Sequence, residues 1–187
     1  MKKIILASSS PRRRDLLANA ELKFDVCIKN VDETLPEGLA PAEAVEYIAK
    51  KKALAISAIA EDAIVISADT VVVLDGKVMG KPKDKEHACQ MLSALSGKEH
   101  EVITGVCLAY DDKAETFHCV SKVKFWELSD EEIKHYVTSG EPMDKAGAYG
   151  IQGKGSVLVE RIEGDYFNIV GLPVSRVVRE IRRIQKK

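Results

Sequence analysis

The chain has 187 residues, 45% hydrophobic and 30% charged, enough apolar surface for one ordinary domain or two small lobes on a shared core and too much for a chain disordered by composition. Its 28 Lys+Arg balance 29 Asp+Glu to a formal net charge of −1, which excludes a bulk polycation built to coat nucleic acid. No apolar run approaches the roughly 20 residues that span a bilayer, and Cys27, Cys89, Cys107 and Cys119 form no Cys-x-x-Cys pair or zinc spacing, so they read as ordinary thiols of a reducing compartment.

The opening Met-Lys-Lys-Ile-Ile-Leu-Ala starts like a signal peptide, but the apolar run stops at Ser8 and three arginines follow, so residues 3–7 read as a buried strand. Ser10 is an apt N-cap and Pro11 suits the first position of a helix that continues to residue 20. Residues 24–28 alternate as a strand, and 31–38 form an acidic loop. The alanine-rich stretch 41–59 has the strongest helical pattern, with Ala42, Val45, Ile48, Ala49, Lys52, Leu54 and Ile56 over a broad face. Residues 63–74 are β-branched and read as a central strand, with Asp75-Gly76 as the hairpin into 77–79.

Asp84 caps a helix that Gly97 closes. Strands 101–110 and 116–126 flank a polar turn, and Ser129 with Glu132 makes a capping box for a helix to residue 139. The stretch 145–155 is too rich in glycine for regular structure. Strands are expected at 157–162 and 167–170, then an amphipathic helix over 173–184 with Val174, Val177, Val178, Ile181 and Ile184 inward. Alternating strands and helices followed by hairpins predict an α/β fold with a mixed sheet.

Several segments carry candidate chemistry. Ser8-Ser9-Ser10-Pro11-Arg12-Arg13 joins hydroxyls and guanidinium groups to a helix N-terminus, all of which favour an anion; a plain serine cap with solvated arginines is the competing reading. No Walker-type P-loop is present. Asp69 lies inside the apolar run Val65-Ile66-Ser67-Ala68-Asp69-Thr70-Val71-Val72, where a carboxylate needs a partner: a metal, a lysine, a water to be activated, or simply backbone amides. Asp32-Glu33 alone is a solvated loop, but near Asp69 it supplies hard oxygen ligands for Mg²⁺ or Mn²⁺. Lys52 sits on the long helix, and Lys81 stands between Gly80 and Pro82 on a tight turn. In Ala146-Gly147-Ala148-Tyr149-Gly150-Ile151-Gln152-Gly153, glycines allow close backbone approach to a ligand and Gln152 suits a nucleobase edge. His87, His100, His118 and His135 show no pairing pattern.

Leu6-Ala7-Ser8-Ser9-Ser10-Pro11-Arg12-Arg13, Asp32-Glu33, Lys52-Ala53, Ala68-Asp69-Thr70-Val71-Val72, Gly80-Lys81-Pro82 and Lys145 to Gly153 together resemble the Maf family of nucleoside triphosphate pyrophosphatases, once described as septum formation inhibitors. Each motif alone is weakly specific; six in family order are highly specific. The resemblance implies a single Maf-like domain over 1–187. Its fold would be an elongated mixed sheet flanked by helices, two lobes around a cleft, similar to the inosine triphosphatase (Ham1-like) fold.

The resemblance also implies cytoplasmic hydrolysis of a nucleoside triphosphate to monophosphate and pyrophosphate with a divalent cation, Mg²⁺ or Mn²⁺. Neither nucleic acid nor membrane would be a partner, and a homodimer is compatible with it. By motif, Asp69 would be the general base; Arg12, Thr70 and Gln152 the specificity positions; Ser8, Ser10, Arg13, Lys52 and Lys81 the phosphate contacts; and Glu33 with Asp69 the metal ligands. Asp69-Thr70 with the Tyr149–Gly153 segment resembles the dTTP/UTP-preferring branch, whereas the 7-methyl-GTP branch typically has Gln in place of Thr70. Rival readings are a scavenger of modified pyrimidine nucleotides (5-methyl-UTP, pseudo-UTP) and a nucleotide-sensing protein that regulates septum formation through partners. A nucleic-acid-binding module is the weakest, given 5% aromatic residues.

Overall fold

The computed structural model describes residues 2–186. In chain order the elements are β1 (Lys3–Leu6), α1 (Pro11–Asn19), β2 (Asp25–Val26), α2 (Pro41–Ser57), β3 (Ala63–Leu74), β4 (Lys77–Met79), α3 (Lys85–Leu95), β5 (Glu99–Tyr110), β6 (Lys113–Phe125), α4 (Asp130–Thr138), β7 (Val159–Glu163), α5 (Tyr166–Val170) and α6 (Val174–Gln185). Short 3-10 turns occupy Glu141–Asp144, Ala146–Ala148 and Lys154–Leu158. The strands make a seven-stranded sheet in the order β2-β1-β3-β5-β6-β7, with β4 paired to β3. β1 runs parallel to β2 and β3, while β4 and β7 pair antiparallel with β3 and β6, so the sheet is mixed as expected. No helix among the described residues is long and apolar enough to cross a membrane, and all four cysteines are free thiols.

The chain divides into two compact units. The first comprises the chain up to Asp69, Thr104–Cys119 and the chain from Gly171 onward. Residues 63–68 of β3 are buried on both faces, as in a central strand, and Asp69 is the first residue to emerge from that run. α2 packs against this sheet through small residues: Ala49, Ala53 and Ile56 meet Val65, Cys107 and Ala109. The seating is close because Gly105 faces it; a Cβ there would lie 2.6 Å from the backbone nitrogen of Glu46. The fully buried Ser67 hydroxyl donates to the Ala49 carbonyl and ties strand to helix. Leu54, expected on the inner face, is instead exposed, because the buried stripe runs through Ala49, Ala53 and Ile56. α6 buries Val174, Val177, Ile181 and Ile184, with Val178 half-buried. β2 is shorter than the expected 24–28, since only Asp25 and Val26 pair with β1 at the sheet edge.

The second unit comprises Thr70–Ile103 and Val120–Val170. Its hairpin from β3 to β4 turns at Asp75 and Gly76, both at positive φ. The Asp84 carboxylate caps α3 by accepting the His87 N–H at 2.8 Å. Ser129 and Glu132 form the expected capping box of α4. Leu92, Leu95, Val123, Phe125, Tyr136, Tyr149 and Leu158 lie in one apolar core. Residues 167–170 correct an expectation, being a one-turn helix instead of a strand. Asp165 accepts the Phe167 N–H at 2.8 Å and starts the turn. The buried Asn168 amide then donates to the Val102 carbonyl at 3.0 Å and the Ser121 hydroxyl at 2.9 Å. A run of four residues carries too little periodicity to separate the two states.

Candidate active site

In the first unit, β1 delivers the chain to Ser8 and α1 begins at Pro11. Ser10 occupies the N-cap position with extended backbone, but its side chain makes no cap hydrogen bond, contrary to expectation. Ser8, which is buried, does the local work instead. Its Oγ accepts the Ser10 N–H at 3.3 Å and an Arg13 Nη1–H at 3.2 Å. The first turn of α1 thus has no side-chain oxygen from Ser10 on its N–H groups, which suits an incoming anion. Arg13 is fixed at a second point, where Nε donates to the Gly171 carbonyl at 2.8 Å. Burial pushes its guanidinium down to about 10, the Asp69 and Glu33 carboxylates pull it up and Arg12 pushes it down, so it stays cationic at neutral pH.

The carboxylates converge on one ammonium. Lys52 Nζ stands 2.9 Å from Asp69 Oδ1 and 3.0 Å from Glu33 Oε1. The Asp69 side chain is 25% exposed and that of Lys52 20%, so the pair is shielded but reachable. The partner demanded by the apolar strand is therefore a lysine, and not a set of main-chain amides. Lys52 can reach Asp69 because α2 sits so close to β3 and β5. Asp32 is used differently from Glu33. Its Oδ1 accepts the Thr34 N–H at 3.0 Å and the Thr34 hydroxyl at 2.6 Å, folding a turn that leaves Glu33 to face Lys52. Those two bonds, aided by Lys51, hold the Asp32 carboxyl below its usual range.

In the second unit, Thr70 follows Asp69 along β3 and is half-buried, while Lys81 and Gln152 are exposed. The Gly147 N–H donates to the Gly80 carbonyl at 3.1 Å, joining the turn that carries Lys81 to the segment that leads to Gln152. Gly147 has φ of 70°, and a Cβ there would come within 2.8 Å of Val72 Cγ2, so only glycine allows β3 and this turn to approach. Tyr149 is buried, its hydroxyl 2.8 Å from His100 Nε2, and its ring packs edge-on against Phe125. Glycines 150, 153 and 155 press against protein side chains: a Cβ on Gly153 would be 2.7 Å from Glu141 Cδ, and one on Gly155 would be 2.7 Å from the Tyr136 hydroxyl. Glu141 and Tyr136 were not singled out by sequence; the one signal for them is that three glycines so close together need something to fold around.

Within the first unit, then, Ser8, Ser10 and Arg13 are linked by hydrogen bonds, Glu33, Lys52 and Asp69 by ion pairs, and Arg12 acts electrostatically on Arg13. Within the second, the Lys81 turn is tied to the segment before Gln152, while Gln152 makes no hydrogen bond with the described residues. No group of three or more His, Cys, Asp or Glu among the described residues could hold a metal ion unaided. Glu33 and Asp69 present two hard carboxylates around a point that already draws the Lys52 cation. That donor set fits Mg²⁺ or Mn²⁺ shared with phosphate oxygens and water, a coordination these ions favour over an all-protein cage.

A family profile described as "Maf-like protein" matches residues 3–184. A dTTP/UTP pyrophosphatase of Bacillus cytotoxicus is 50% identical over 183 residues, covering 98% of this chain and 96% of its own length. A dTTP/UTP pyrophosphatase of Geobacillus sp. (strain WCH70) is 51% identical over 184 residues, covering 98% and 99%. Among solved structures, a HAM1 protein from Coxiella burnetii superposes with TM-score 0.53 at 14% identity, over 98% of this chain and all of its own. The Staphylococcus aureus Ham1 protein gives 0.52 at 16% identity, over 96% of this chain and all of its own. The two structures share the fold with this chain.

Proposed function

The chain belongs to the Maf family, and on that footing we propose that it hydrolyses dTTP and UTP to the monophosphate and pyrophosphate. Relatives of about half-identical sequence over nearly the whole chain carry that activity in their names. The observation that carries the reading is the Lys52 ammonium held between Glu33 and Asp69. Storage or sensing of a nucleotide does not call for a reachable carboxylate at the end of an apolar strand beside a lysine, whereas a carboxylate placed and oriented in this way suits taking up a proton.

In this reading a water oxygen attacks the α-phosphorus. The new P–O bond forms as the bond from the α-phosphorus to the bridging oxygen breaks, and pyrophosphate leaves with that electron pair. Asp69 takes the proton of the water. Its Oδ1 is oriented by Lys52 and its Oδ2 accepts no hydrogen bond from the described residues. Glu33 and Asp69 would hold the divalent cation, which when bound offsets phosphate charge and makes water more acidic. Arg13, already braced by Ser8 and Gly171, presents a fixed guanidinium to phosphate, and Lys52 with Lys81 adds point charges. Ser8, Ser10 and the start of α1 supply neutral donors.

Arg12, Thr70 and Gln152 are assigned to the base. A site that must hydrogen-bond a base edge rejects a base lacking the partner far more strongly than size alone can. The test is pyrophosphate release from each standard nucleoside triphosphate and from 5-methyl-UTP, with Mg²⁺, with Mn²⁺ and with chelator. The expected result is metal-dependent release from dTTP and UTP at least tenfold more efficient than from purine nucleotides, with monophosphate in equal amount. Release of orthophosphate and diphosphate, or binding without release, would refute the assignment.

A further inference from the structure

Gln152 is exposed and makes no hydrogen bond of its own with the described residues, yet the backbone after it is held by the Glu141 carboxylate and the backbone before it by the Tyr136 hydroxyl bound to that carboxylate. Glu141 lies in the 3-10 turn Glu141–Asp144 that follows α4. Its Oε2 accepts the Lys154 N–H at 2.9 Å, and its Oε1 accepts the Gly155 N–H at 3.2 Å. Oε1 also accepts the Tyr136 hydroxyl at 2.9 Å, and that hydroxyl oxygen accepts the Gly150 N–H at 3.0 Å. Residues 150 to 155 are thus wrapped around a Glu141–Tyr136 pair, with Gln152 at the outer side of the turn.

The glycines fit this arrangement. Side chains at 153 or 155 would overlap the Glu141 carboxylate or the Tyr136 hydroxyl, so the turn closes on the pair only without them; one at 150 would displace the end of Lys145. Gly150 and Gly155 also donate their N–H groups to the pair. Burial opposes ionisation of Glu141, but the N–H groups of Lys154 and Gly155 and the Tyr136 hydroxyl outweigh it, holding the carboxyl below its usual range. Every group that meets the two oxygens is a donor, so an ionised carboxylate is the side chain that satisfies them all. The Lys145 ammonium, donating to the Glu141 carbonyl at 2.7 Å, braces the turn from below.

A free turn of this length would have to be ordered as the nucleotide binds, losing conformational entropy at every residue fixed. Discrimination between bases further requires the reading group to be placed to within roughly 0.5 Å. We propose that Glu141 is the positioning residue for base selection, acting through Gly150, Lys154 and Gly155 to fix Gln152 in place. This rests on the assignment of Gln152 to the base. Glu141 touches no substrate; its contribution appears as selectivity.

The decisive measurement is a double-mutant cycle on the kcat/KM ratio of dTTP over dGTP. Glu141→Gln turns an amide N–H₂ toward a backbone donor and loosens the turn. The expected loss of the ratio is roughly tenfold, carried mostly by a higher KM for dTTP. Gln152→Ala lowers the ratio by at least as much, and in that background Glu141→Gln lowers it no further. Tyr136→Phe, which removes the hydroxyl between Glu141 and Gly150 without changing charge, is expected to act in the same direction and to lose its effect likewise beside Gln152→Ala. It decides the matter if Glu141→Gln folds poorly. If Gln152→Ala lowers the ratio while the Glu141 and Tyr136 variants alter only thermal stability, the positioning role is overturned and the base assignment stands. If the losses simply add, Glu141 acts elsewhere and the proposal fails. If Gln152→Ala leaves the ratio unchanged, the base assignment fails first and takes the proposal with it.

Discussion

Asp69 and His100 show how differently two sheltered titratable groups can be treated. Asp69 keeps a cation at 2.9 Å and stays reachable. His100 is 2% exposed, meets only the Tyr149 hydroxyl through Nε2, and has no partner at Nδ1. Burial holds its pKa down to about 4, with Glu99 opposing weakly, so the folded protein keeps it neutral. In the unfolded chain it titrates near 6.5. Between those values the unfolded state binds a proton that the folded state refuses, so stability is complete above about 6.5 and falls as pH drops toward 4. The loss assigned to His100 between pH 7 and pH 5 is about 2 kcal/mol. Urea unfolding at both pH values should show the difference shrinking by that amount in His100→Gln. An unchanged difference would show that the imidazole titrates alike in both states. The lowered carboxyls, such as those of Glu141 and Asp32, give up their contribution as pH falls through their ordinary values of about 4 to 4.5, largely below this window.

At the scale of elements, the site depends on how closely α2 lies on the sheet. Gly105 provides the room, and the backbone of Val45 and Glu46 fills it. Gly105→Ala would press a methyl group into a helix backbone that cannot rotate away. A loss of about 1–3 kcal/mol of stability is expected. Because Lys52 rides on the same helix, turnover should fall as well; a variant as stable and active as the parent would show that α2 can retreat without disturbing Lys52. Helices with a side-chain cap, such as α3 and α4, or a repeating apolar face, such as α6, were legible in sequence, as was the long apolar β3. α5 was not, because its helical state comes from the Asp165 cap and the long-range bonds of Asn168. That Asp69 needs a partner was also legible, but the choice of Lys52 follows from how α2 packs on the sheet, which no local pattern announces. Glu141 was invisible for a related reason: two of its three partners are backbone N–H groups, which leave no mark in side-chain spacing.

For the molecule as a whole, near-neutral charge means that a polyanionic substrate must be drawn by local fields. In the first unit Arg12, Arg13 and Lys52 supply the cations and Glu33 with Asp69 the answering carboxylates, which together suit a phosphate chain bound with a divalent ion. Fold likeness at 14–16% identity says nothing of which nucleotide is used, so the assignment stands on this constellation and on the half-identical relatives. Its central claim is that Asp69 carries the proton of the attacking water. The most direct measurement is pyrophosphate release from dTTP by Asp69→Asn, with dTTP affinity determined by calorimetry on the same samples. Retained binding with turnover reduced by roughly 10²–10⁴-fold is the expected result. Pyrophosphate release by Asp69→Asn at close to the parent rate would contradict it.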